Sequence, residues 1–310
     1  MALRQFPPIL LEPFEMAMKH HVLEAQLASI HVPLFHFPWP GACSPAVDET
    51  EARMMDAPAT PGYAWLAARC YPNAEPELLQ TIADYFVWFF LADDLLVDRV
   101  ETVTPDTLQN LTAMIDALDF GSARPEPAYG ETAFLDVCHR LRRLLGSEPF
   151  ERFAQGMRLW GTAAGLQILN HMQPKSIGLA SYKTIRRHTS GMNPCMALAD
   201  AANGGSIEPS EFHRPDVQTL CRYANNVVCW SNDIQSLSVE IRQPGQFINM
   251  VIDRAAEGHS LQESIAYTAS RVKSEMGRFV ELCKTMTPGA SDGLCRMMDG
   301  LRYWMRGYQD

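Results

Sequence analysis

The sequence predicts an all-α protein, built as a single bundle of about ten or more helices. Apolar residues recur at three- and four-residue spacing in long segments, for example residues 76–98 and 217–241. Proline and glycine clusters, such as residues 38–41 and 121–129, separate these segments. No alternating strand pattern and no linker of domain-boundary character interrupts the series, so residues 1–310 are expected to form one domain.

The composition excludes several classes of protein. The 310 residues are 47% hydrophobic and 20% charged, which is typical of a globular protein with a sizeable core. A net charge of −10 disfavours a nucleic-acid partner, because phosphate backbones require a basic surface. The longest apolar run, residues 85–92, is far shorter than the ~20 residues of a membrane span. Residues 1–16 lack the apolar stretch of a signal peptide, so we expect a cytoplasmic protein.

The beginning of the chain is expected to differ from the rest. Residues 1–60 contain FHFPWPGACSP and show little periodicity, which favours an irregular strap lying over the bundle. A mobile terminal arm is the alternative. The eight cysteines include no CxxC pair, and we expect them to be reduced and mostly buried.

Three carboxylates follow the apolar half of one predicted helix: Asp93, Asp94 and Asp98. Asp94 and Asp98 are spaced i, i+4 and would share one face of an α-helix. Adjacent like charges after an apolar run are costly unless a cation compensates them, and Mg²⁺ binds carboxylates together with substrate phosphates. The segment is therefore a candidate metal site, with a solvated acidic helix end as the alternative.

A second oxygen-rich motif is NDIQSLSVE, at residues 232–240. Asn232, Ser236 and Glu240 stand at i, i+4 and i+8 and would project from one face of a helix. An amide oxygen, a hydroxyl and a carboxylate in this arrangement are suitable ligands for a hard divalent cation. The alternative is the polar outer stripe of an amphipathic helix.

An aspartate-rich motif followed 139 residues later by an Asn–Ser–Glu triad resembles the class I terpene synthases of the bacterial and fungal type. The resemblance covers nearly the whole chain and implies a helical bundle around a central active-site cavity. It implies three Mg²⁺ ions, with Mn²⁺ as a substitute, and ionisation of an acyclic isoprenyl diphosphate followed by cyclisation of the carbocation. Farnesyl diphosphate is favoured by its frequency in the family, with geranylgeranyl diphosphate next. Homodimers are common among members and are therefore a further expectation.

The resemblance also assigns roles to a segment with the sequence SYKTIRRHTSGM. In the family, a diphosphate-sensing arginine lies 46 residues before the asparagine of the triad, and Arg186 occupies that position. Gly191 and Pro194 would break the helix there. By similarity, Thr189 is the linker and Ser190 the effector whose carbonyl helps trigger ionisation, with Gly191 as the competing choice.

Departures from the family pattern leave some assignments open. The aspartate motif is DDxxxD, and by alignment Asp93 would be the principal metal ligand, whereas helix geometry pairs Asp94 with Asp98. We expect Asp93 to bind metal and Asp94 to form a salt bridge with Arg186, with Asp98 as a weaker partner. Ile241 follows the triad where a basic residue is common, and we expect the next residue, Arg242, to reach the diphosphate instead.

The family usually places an Arg–Tyr pair after a Trp-x-x-Gly-x-x-Asp stretch like residues 304–310. Here Arg302 and Tyr303 precede that stretch. We expect the family's pair to lie beyond residue 310, and Arg302–Tyr303 to be unrelated to it. The segment 244–260 and the C-terminal region are expected to move when the site closes.

Aromatic side chains are expected to line the cavity, because their faces stabilise a carbocation by ~0.5 to 2 kcal/mol each. The candidates are Phe86, Phe89, Phe90, Trp160 and Trp304. The three phenylalanines are spaced i, i+3 and i+4 on the helix that leads to the aspartates. Plain core packing is the alternative for each of them.

Other functions fit the motifs less well. A prenyl-chain-elongating or head-to-head synthase on the same fold would require a second aspartate-rich motif, where this chain has the triad. A protonation-initiated cyclase would require DxDD, and a di-iron bundle would require ExxH pairs, neither of which occurs. A non-catalytic helical binding protein would leave the 46-residue spacing unexplained.

Overall fold

The structure is a computed structural model that describes residues 27, 29–54, 62–98, 105–171, 178–242 and 248–310. These residues form 14 α-helices and no strand, which confirms the all-α prediction. The helices are α1 Val47–Met54, α2 Tyr63–Cys70, α3 Pro76–Asp93, α4 Pro105–Phe120, α5 Glu131–Leu145, α6 Ser147–His171, α7 Gly178–Thr189, α8 Met192–Met196, α9 Pro209–Phe212, α10 Pro215–Gln235, α11 Leu237–Glu240, α12 Met250–Ala256, α13 Leu261–Met286 and α14 Asp292–Gly307.

Local sequence signals explain where the long helices begin. Proline stands at the first position of α3 and α10, where its missing N–H costs nothing and its fixed φ favours the helix. The helix α13 begins with a capping box: the Ser260 hydroxyl accepts from the Glu263 backbone N–H at 3.3 Å, and the Glu263 carboxylate accepts from the Ser260 N–H at 2.9 Å. These starts orient the helices that carry and surround the candidate site.

The helix α10 lies at the centre of the bundle. It contacts α7, α8, α12, α13 and α14, and most of its residues are buried. The main core runs through side chains from Val47 to Met305, and a smaller cluster lies between α10–α11 and α12–α13. Because α10 ends at the triad, the core holds the triad on a rigid element.

The N-terminal region crosses the bundle and is tied to it by hydrogen bonds. The backbone N–H of His31 donates to Gln262 on α13 at 2.8 Å, and the indole of Trp39 donates to the carbonyl oxygen of Arg302 on α14 at 2.9 Å. The expectation that residues 1–60 are irregular is wrong for α1, which packs against α2 and α3. Residues 1–26, 28 and 55–60 lie outside the described part of the chain.

Two expectations about the whole chain concern membranes and cysteines. Within the described ranges, no helix combines the length and apolar character needed to cross a membrane. All eight cysteines are free thiols, and six of them are buried. The expectation of mostly buried thiols is therefore confirmed.

Candidate active site

The aspartate-rich motif lies where α3 ends and its backbone changes geometry. Asp93 is the last residue of α3, and Asp94–Asp98 form a π-helical turn. A π turn bonds residues five apart and so widens this segment of the helix, but Asp94 and Asp98 stay about one turn from each other. The segment is therefore not α-helical as expected, and a shared face of Asp94 and Asp98 stays a prediction. The side chain of Asp98 lies outside the described part of the structure.

The two adjacent aspartates have different neighbours. The indole N–H of Trp160, on α6, donates to Oδ1 of Asp93 at 3.2 Å. Asp94 lies beside Tyr63: burial and, second, the negative charge of Asp94 raise the pKa of that phenol. Trp160 is only 1% exposed, so the bond to Asp93 fixes one carboxylate from the protein interior.

The triad spans a junction between two helices. The helix α10 ends at Gln235, Ser236 caps it, and Glu240 is the last residue of α11. The helical register continues across the junction, because the backbone N–H of Ser236 donates to the Asn232 carbonyl at 2.8 Å and that of Glu240 to the Ser236 carbonyl at 3.0 Å. The hydroxyl of Ser236 also donates to the Asn232 carbonyl oxygen, at 2.8 Å.

Arg186 meets the triad. Its Nε donates to Oδ1 of Asp233 at 3.0 Å, and one of its terminal nitrogens donates to the side-chain oxygen of Asn232. Burial alone would lower the pKa of Arg186, but the Asp233 charge raises it well above its ordinary value, so the guanidinium stays cationic. The 46-residue spacing thus corresponds to direct contact. The expected ion pair between Arg186 and Asp94 stays a prediction.

Asp233 is the buried anchor of this contact, and its role was not predicted from the sequence. Its carboxylate is 0% exposed and accepts hydrogen bonds from the Tyr182 hydroxyl and from the Met250 backbone N–H, the latter at 2.8 Å. Tyr182 stands one helical turn before Arg186 on α7. That i, i+4 relationship was the available signal, since both residues lie in the SYKTIRR segment.

Asn249 orients Glu240. Its side-chain nitrogen donates to Oε2 of Glu240 at 2.8 Å and to the Asp233 carbonyl oxygen at 2.8 Å, while its side-chain oxygen caps α12 by accepting from Val251 at 2.8 Å. Burial and the nearby Asp233 charge raise the pKa of Glu240 to about 7. Two carboxylates therefore share a poorly solvated region with one guanidinium, which favours an additional cation.

The C-terminal segment also reaches the triad. Asn232 donates from its side-chain nitrogen to the Tyr308 hydroxyl, and Gln309 bridges Gln235 at 2.9 Å and Ser231 at 2.8 Å. Burial raises the pKa of Tyr308 to about 12, so the phenol is neutral. The sequence analysis compared residues 304–310 with a stretch of the family pattern, but it did not predict that Tyr308 contacts Asn232.

Arg302 points elsewhere. Its guanidinium pairs with Asp299 on the same helix at 2.6 Å, and its carbonyl oxygen accepts from the Trp39 indole. Arg242 is exposed in the turn after Ile241, next to residues 243–247, which lie outside the described ranges. The expected movement of residues 244–260 therefore concerns a segment that the structure describes only from residue 248 onward.

The predicted helix break is present. The helix α7 ends at Thr189, Gly191 has a φ of +71°, and α8 begins at Met192. A Cβ at Gly191 would lie 2.4 Å from Cζ of Phe89, so both the backbone angle and the packing require glycine. The Ser190 hydroxyl accepts from the Met192 N–H at 3.3 Å. Among the described residues the buried Thr189 hydroxyl has no hydrogen-bond partner.

The five predicted aromatic side chains form one continuous series between α3, α6 and α14. Their ring centroids are 5.2 Å apart for Trp160–Phe89, 5.9 Å for Phe89–Phe90, 6.3 Å for Phe90–Phe86 and 5.8 Å for Phe86–Trp304. Four are buried, and Phe90 is 36% exposed. The series begins at Trp160, which bonds Asp93, and ends at Trp304 on α14.

The donor set fits a divalent metal that also binds phosphate oxygens. No three His, Cys, Asp or Glu side chains converge in the described part of the chain to form a metal cluster by themselves. The available donors are carboxylates, an amide oxygen and a hydroxyl, which suit Mg²⁺. Mg²⁺ commonly completes its coordination with water and substrate phosphates, so few protein ligands are required.

Comparison with known proteins identifies the family. Residues 84–278 match the family model described as terpene synthase family 2, C-terminal metal binding. A sesquiterpene synthase of Metarhizium brunneum is 61% identical over 308 residues, covering 94% of this chain and 90% of that protein. A Kitasatospora setae enzyme, a (+)-corvol ether B and (+)-corvol ether A synthase that cyclises (2E,6E)-farnesyl diphosphate, is 52% identical, covering 90% of this chain and 92% of that protein.

The fold agrees with solved structures. The protein SVS_A2, obtained by ancestral sequence reconstruction, superposes with a TM-score of 0.79 at 26% identity, covering 90% of this chain and 89% of that one. The family match and the high identity to named synthases agree with the aspartate motif, the triad and Arg186. The chain belongs to the class I terpene synthases, enzymes that ionise an isoprenyl diphosphate and cyclise the resulting carbocation.

Proposed function

We propose that this enzyme converts farnesyl diphosphate into a cyclic sesquiterpene and releases diphosphate. The names of the relatives support the substrate, since one is a sesquiterpene synthase and another cyclises (2E,6E)-farnesyl diphosphate. The observation that carries the proposal is the contact of Arg186 with Asn232 and Asp233. It puts a permanent cation against the first residue of the triad, where a diphosphate would need it.

The proposed metal site lies between the two motifs. Asp93 at the end of α3 and Asp94 in the π turn after it would hold metal on one side, and Asn232, Ser236 and Glu240 at the junction of α10 and α11 on the other, with three Mg²⁺ ions per site, or Mn²⁺ in their place. When bound, the cations supply positive charge that stabilises the departing diphosphate. Trp160 and Asn249 support this assignment, because each fixes the carboxylate oxygen of a proposed ligand by a hydrogen bond.

Arg186 is proposed to bind the diphosphate. Its guanidinium can present several N–H donors to phosphate oxygens in a fixed geometry. In this structure one donor is engaged by Asn232, so binding of diphosphate would exchange a neutral acceptor for an anionic one. Asp98 stays a prediction as a weaker acidic partner of Arg186. Arg242 stays a prediction as a second basic contact to the diphosphate.

The break between α7 and α8 is proposed to respond to substrate. Thr189 would be the linker, and Ser190 the effector, with Gly191 as the alternative. A buried hydroxyl without a partner is unusual, and the Thr189 hydroxyl supports a role in which it gains one. The neighbouring Phe89 ring lies against Gly191, so movement of the break would be transmitted to the aromatic series.

The aromatic series is proposed to shape the carbocation and protect it from water. Phe86, Phe89, Phe90, Trp160 and Trp304 would present ring faces or edges to the isoprenoid chain. The accessible edge of Phe90 supports this role, because it alone of the five is substantially exposed while remaining in contact with the buried members. Aromatic contacts of this kind stabilise a cation by ~0.5 to 2 kcal/mol each.

For organisation, we propose one domain over residues 1–310 and a cytosolic location. The core that runs from Val47 to Met305 supports the first, and the free thiols suit a reducing compartment. Formation of a homodimer stays a prediction.

A product assay tests the proposal. The purified chain is incubated with geranyl, farnesyl or geranylgeranyl diphosphate, with Mg²⁺ or with EDTA, and the extract is analysed by gas chromatography–mass spectrometry. We expect a cyclic C15 hydrocarbon or alcohol from farnesyl diphosphate that disappears with EDTA. A cyclic product from geranylgeranyl diphosphate alone would overturn the substrate assignment, and product formation in EDTA would overturn the metal assignment.

A further inference from the structure

One face of α10 carries more than the triad. Asn225 and Cys229 stand at i and i+4, and Asn232 and Asp233 follow at i+7 and i+8, so all four share a face. Asn232 and Asp233 contact Arg186. Asn225 contacts the break between α7 and α8, and Cys229 contacts Asn225. The sequence motifs singled out neither Asn225 nor Cys229.

Asn225 spans the break. Its side-chain nitrogen donates to the carbonyl oxygen of Arg187, before the break, at 2.9 Å, and to Oδ1 of Asn193, after the break, at 3.2 Å. Asn193 in turn donates from its own side-chain nitrogen to Nδ1 of His188 at 3.0 Å. One amide therefore joins the end of α7 to the first turn of α8.

The orientation of the Asn225 amide is determined by its surroundings. Asn225 is 1% exposed, and the thiol of Cys229 donates to its Oδ1 at 2.8 Å, which leaves the nitrogen directed at the break. Burial and, second, the charge of Arg187 lower the pKa of His188, so its ring is neutral and Nδ1 can accept the bond from Asn193.

Packing supports the break at two points, and a pocket lies beside it. The Phe89 ring fills the space at Gly191, and α6 approaches the start of α8 so closely that a Cβ at Gly156 would lie 2.6 Å from the Pro194 nitrogen. The pocket has a volume of about 570 Å³, and its lining includes Arg187, Asn193 and Asn225. The hydrogen bonds of Asn225 join the two sides of the break at the wall of this pocket.

We propose that Asn225 is a positioning residue, which holds the break at a fixed position relative to the α10 face that bears Asn232. This rests on the proposed function of the break in triggering ionisation. Because Arg186 and Ser190 are joined by a helical hydrogen bond of 3.0 Å, a displaced break would also misplace the effector relative to the diphosphate site. Asn225 acts through the backbone of its neighbours and does not itself touch substrate.

Asn226 provides a matched control. It is the next residue on α10, is also buried at 7% exposure, and donates from its side-chain nitrogen to Glu275 on α13 at 2.9 Å, away from the break. Asn225→Ala and Asn226→Ala thus each remove one buried amide from the same helix. A general loss of stability affects both variants, whereas loss of the break's position affects only Asn225→Ala.

The first measurement is hydrogen–deuterium exchange of the full chain without substrate, followed by mass spectrometry of peptides covering residues 187–196. Asn225→Ala is expected to speed exchange there by about 10-fold relative to the unsubstituted chain, and Asn226→Ala to leave it unchanged. Equal exchange in Asn225→Ala and the unsubstituted chain would overturn the proposal. This result does not depend on which substrate the enzyme uses.

The second measurement is steady-state kinetics with farnesyl diphosphate. Asn225→Ala is expected to lower kcat by about 10-fold or more with KM changed less than about 3-fold, together with a larger share of uncyclised products. Equal kcat losses in Asn225→Ala and Asn226→Ala would assign a merely structural role to Asn225. If exchange changes as expected but the unsubstituted chain turns over none of the three isoprenyl diphosphates, the proposed function fails and the positioning contact stands.

Discussion

The guanidinium of Arg186 donates to the fully buried carboxylate of Asp233, one residue after the start of the triad. The pair links α7 to α10, and Tyr182 and Met250 complete the acceptor capacity of the carboxylate. The proposed diphosphate-binding arginine is therefore held in place by the same helix that presents the proposed metal ligands. The position of the Arg186 guanidinium therefore depends on its ion pair with Asp233.

Removing Asp233 is expected to be costly. In Asp233→Ala, the Arg186 side chain, which is 16% exposed, loses its counter-charge. Loss of one partner from a buried pair typically costs about 3 to 5 kcal/mol, and we expect the lower end of that range. Asp299→Ala is the control, because it removes an exposed pair with Arg302 that is worth about 0 to 1 kcal/mol. Urea unfolding of both variants measures the difference. Equal, small losses would mean that the Arg186–Asp233 pair contributes little.

The raised pKa of Glu240 predicts a pH-dependent penalty in the metal-free protein. The folded-state pKa is about 7, above the ordinary 4.5, so this group's contribution to stability is fully present below pH 4.5 and is lost as the pH rises through about 7. In Glu240→Gln the group has no charge to desolvate. We therefore expect the variant to gain unfolding free energy relative to the unsubstituted chain between pH 5 and pH 8, measured in EDTA. A pH-independent difference would contradict the raised pKa.

Gly191 is expected to tolerate no side chain. In Gly191→Ala the methyl group would collide with the Phe89 ring at a backbone angle that L-residues rarely adopt, at a cost of about 1 to 3 kcal/mol or more. Gly165→Ala on α6 is the control, since a Cβ there meets nothing within 4 Å and alanine favours a helix by about 1 kcal/mol. Thermal unfolding should show opposite shifts for the two variants. A stabilised Gly191→Ala would mean that the break is not held as described.

The bond from Trp160 to Asp93 is expected to affect metal use. Trp160→Phe keeps an aromatic ring in the series but removes the N–H that fixes Asp93. Loss of such a supporting bond commonly costs about 10-fold or more in metal affinity, so the Mg²⁺ concentration for half-maximal activity should rise by about that factor. Trp65→Phe removes a comparable bond at the surface, in which the indole donates to Glu51, and should leave that concentration unchanged. A Mg²⁺ requirement in Trp160→Phe equal to that of the unsubstituted chain would show that Asp93 does not depend on this bond.

The sequence was sufficient for the fold class, and it singled out Arg186 and Asn232, although the contact between them was not predicted. The spacing marked both residues through the resemblance, and the assembled bundle brings their helices into contact. The break was also predictable, because Gly191 and Pro194 interrupt the helical pattern.

Other parts of the site depend on tertiary packing and could not be predicted. Nothing in DLLVD distinguishes a π turn from a continued α-helix, so the π geometry of this segment was not predicted. Asn249 and Tyr308 reach the triad from elements that only the fold brings near it. Asn225 stands beside Asn226 in a buried helix, and their different partners are visible only in the assembled bundle.

The central claim is that Arg186, the triad and divalent metal together form a diphosphate site. The most direct test is isothermal titration calorimetry with inorganic diphosphate, with and without Mg²⁺, on the unsubstituted chain, on Glu240→Gln and on the control Asp299→Asn. We expect binding that requires Mg²⁺, is weakened about 10-fold or more by Glu240→Gln, and is unchanged in Asp299→Asn. Binding of equal affinity in the absence of Mg²⁺, or in Glu240→Gln, would contradict the account.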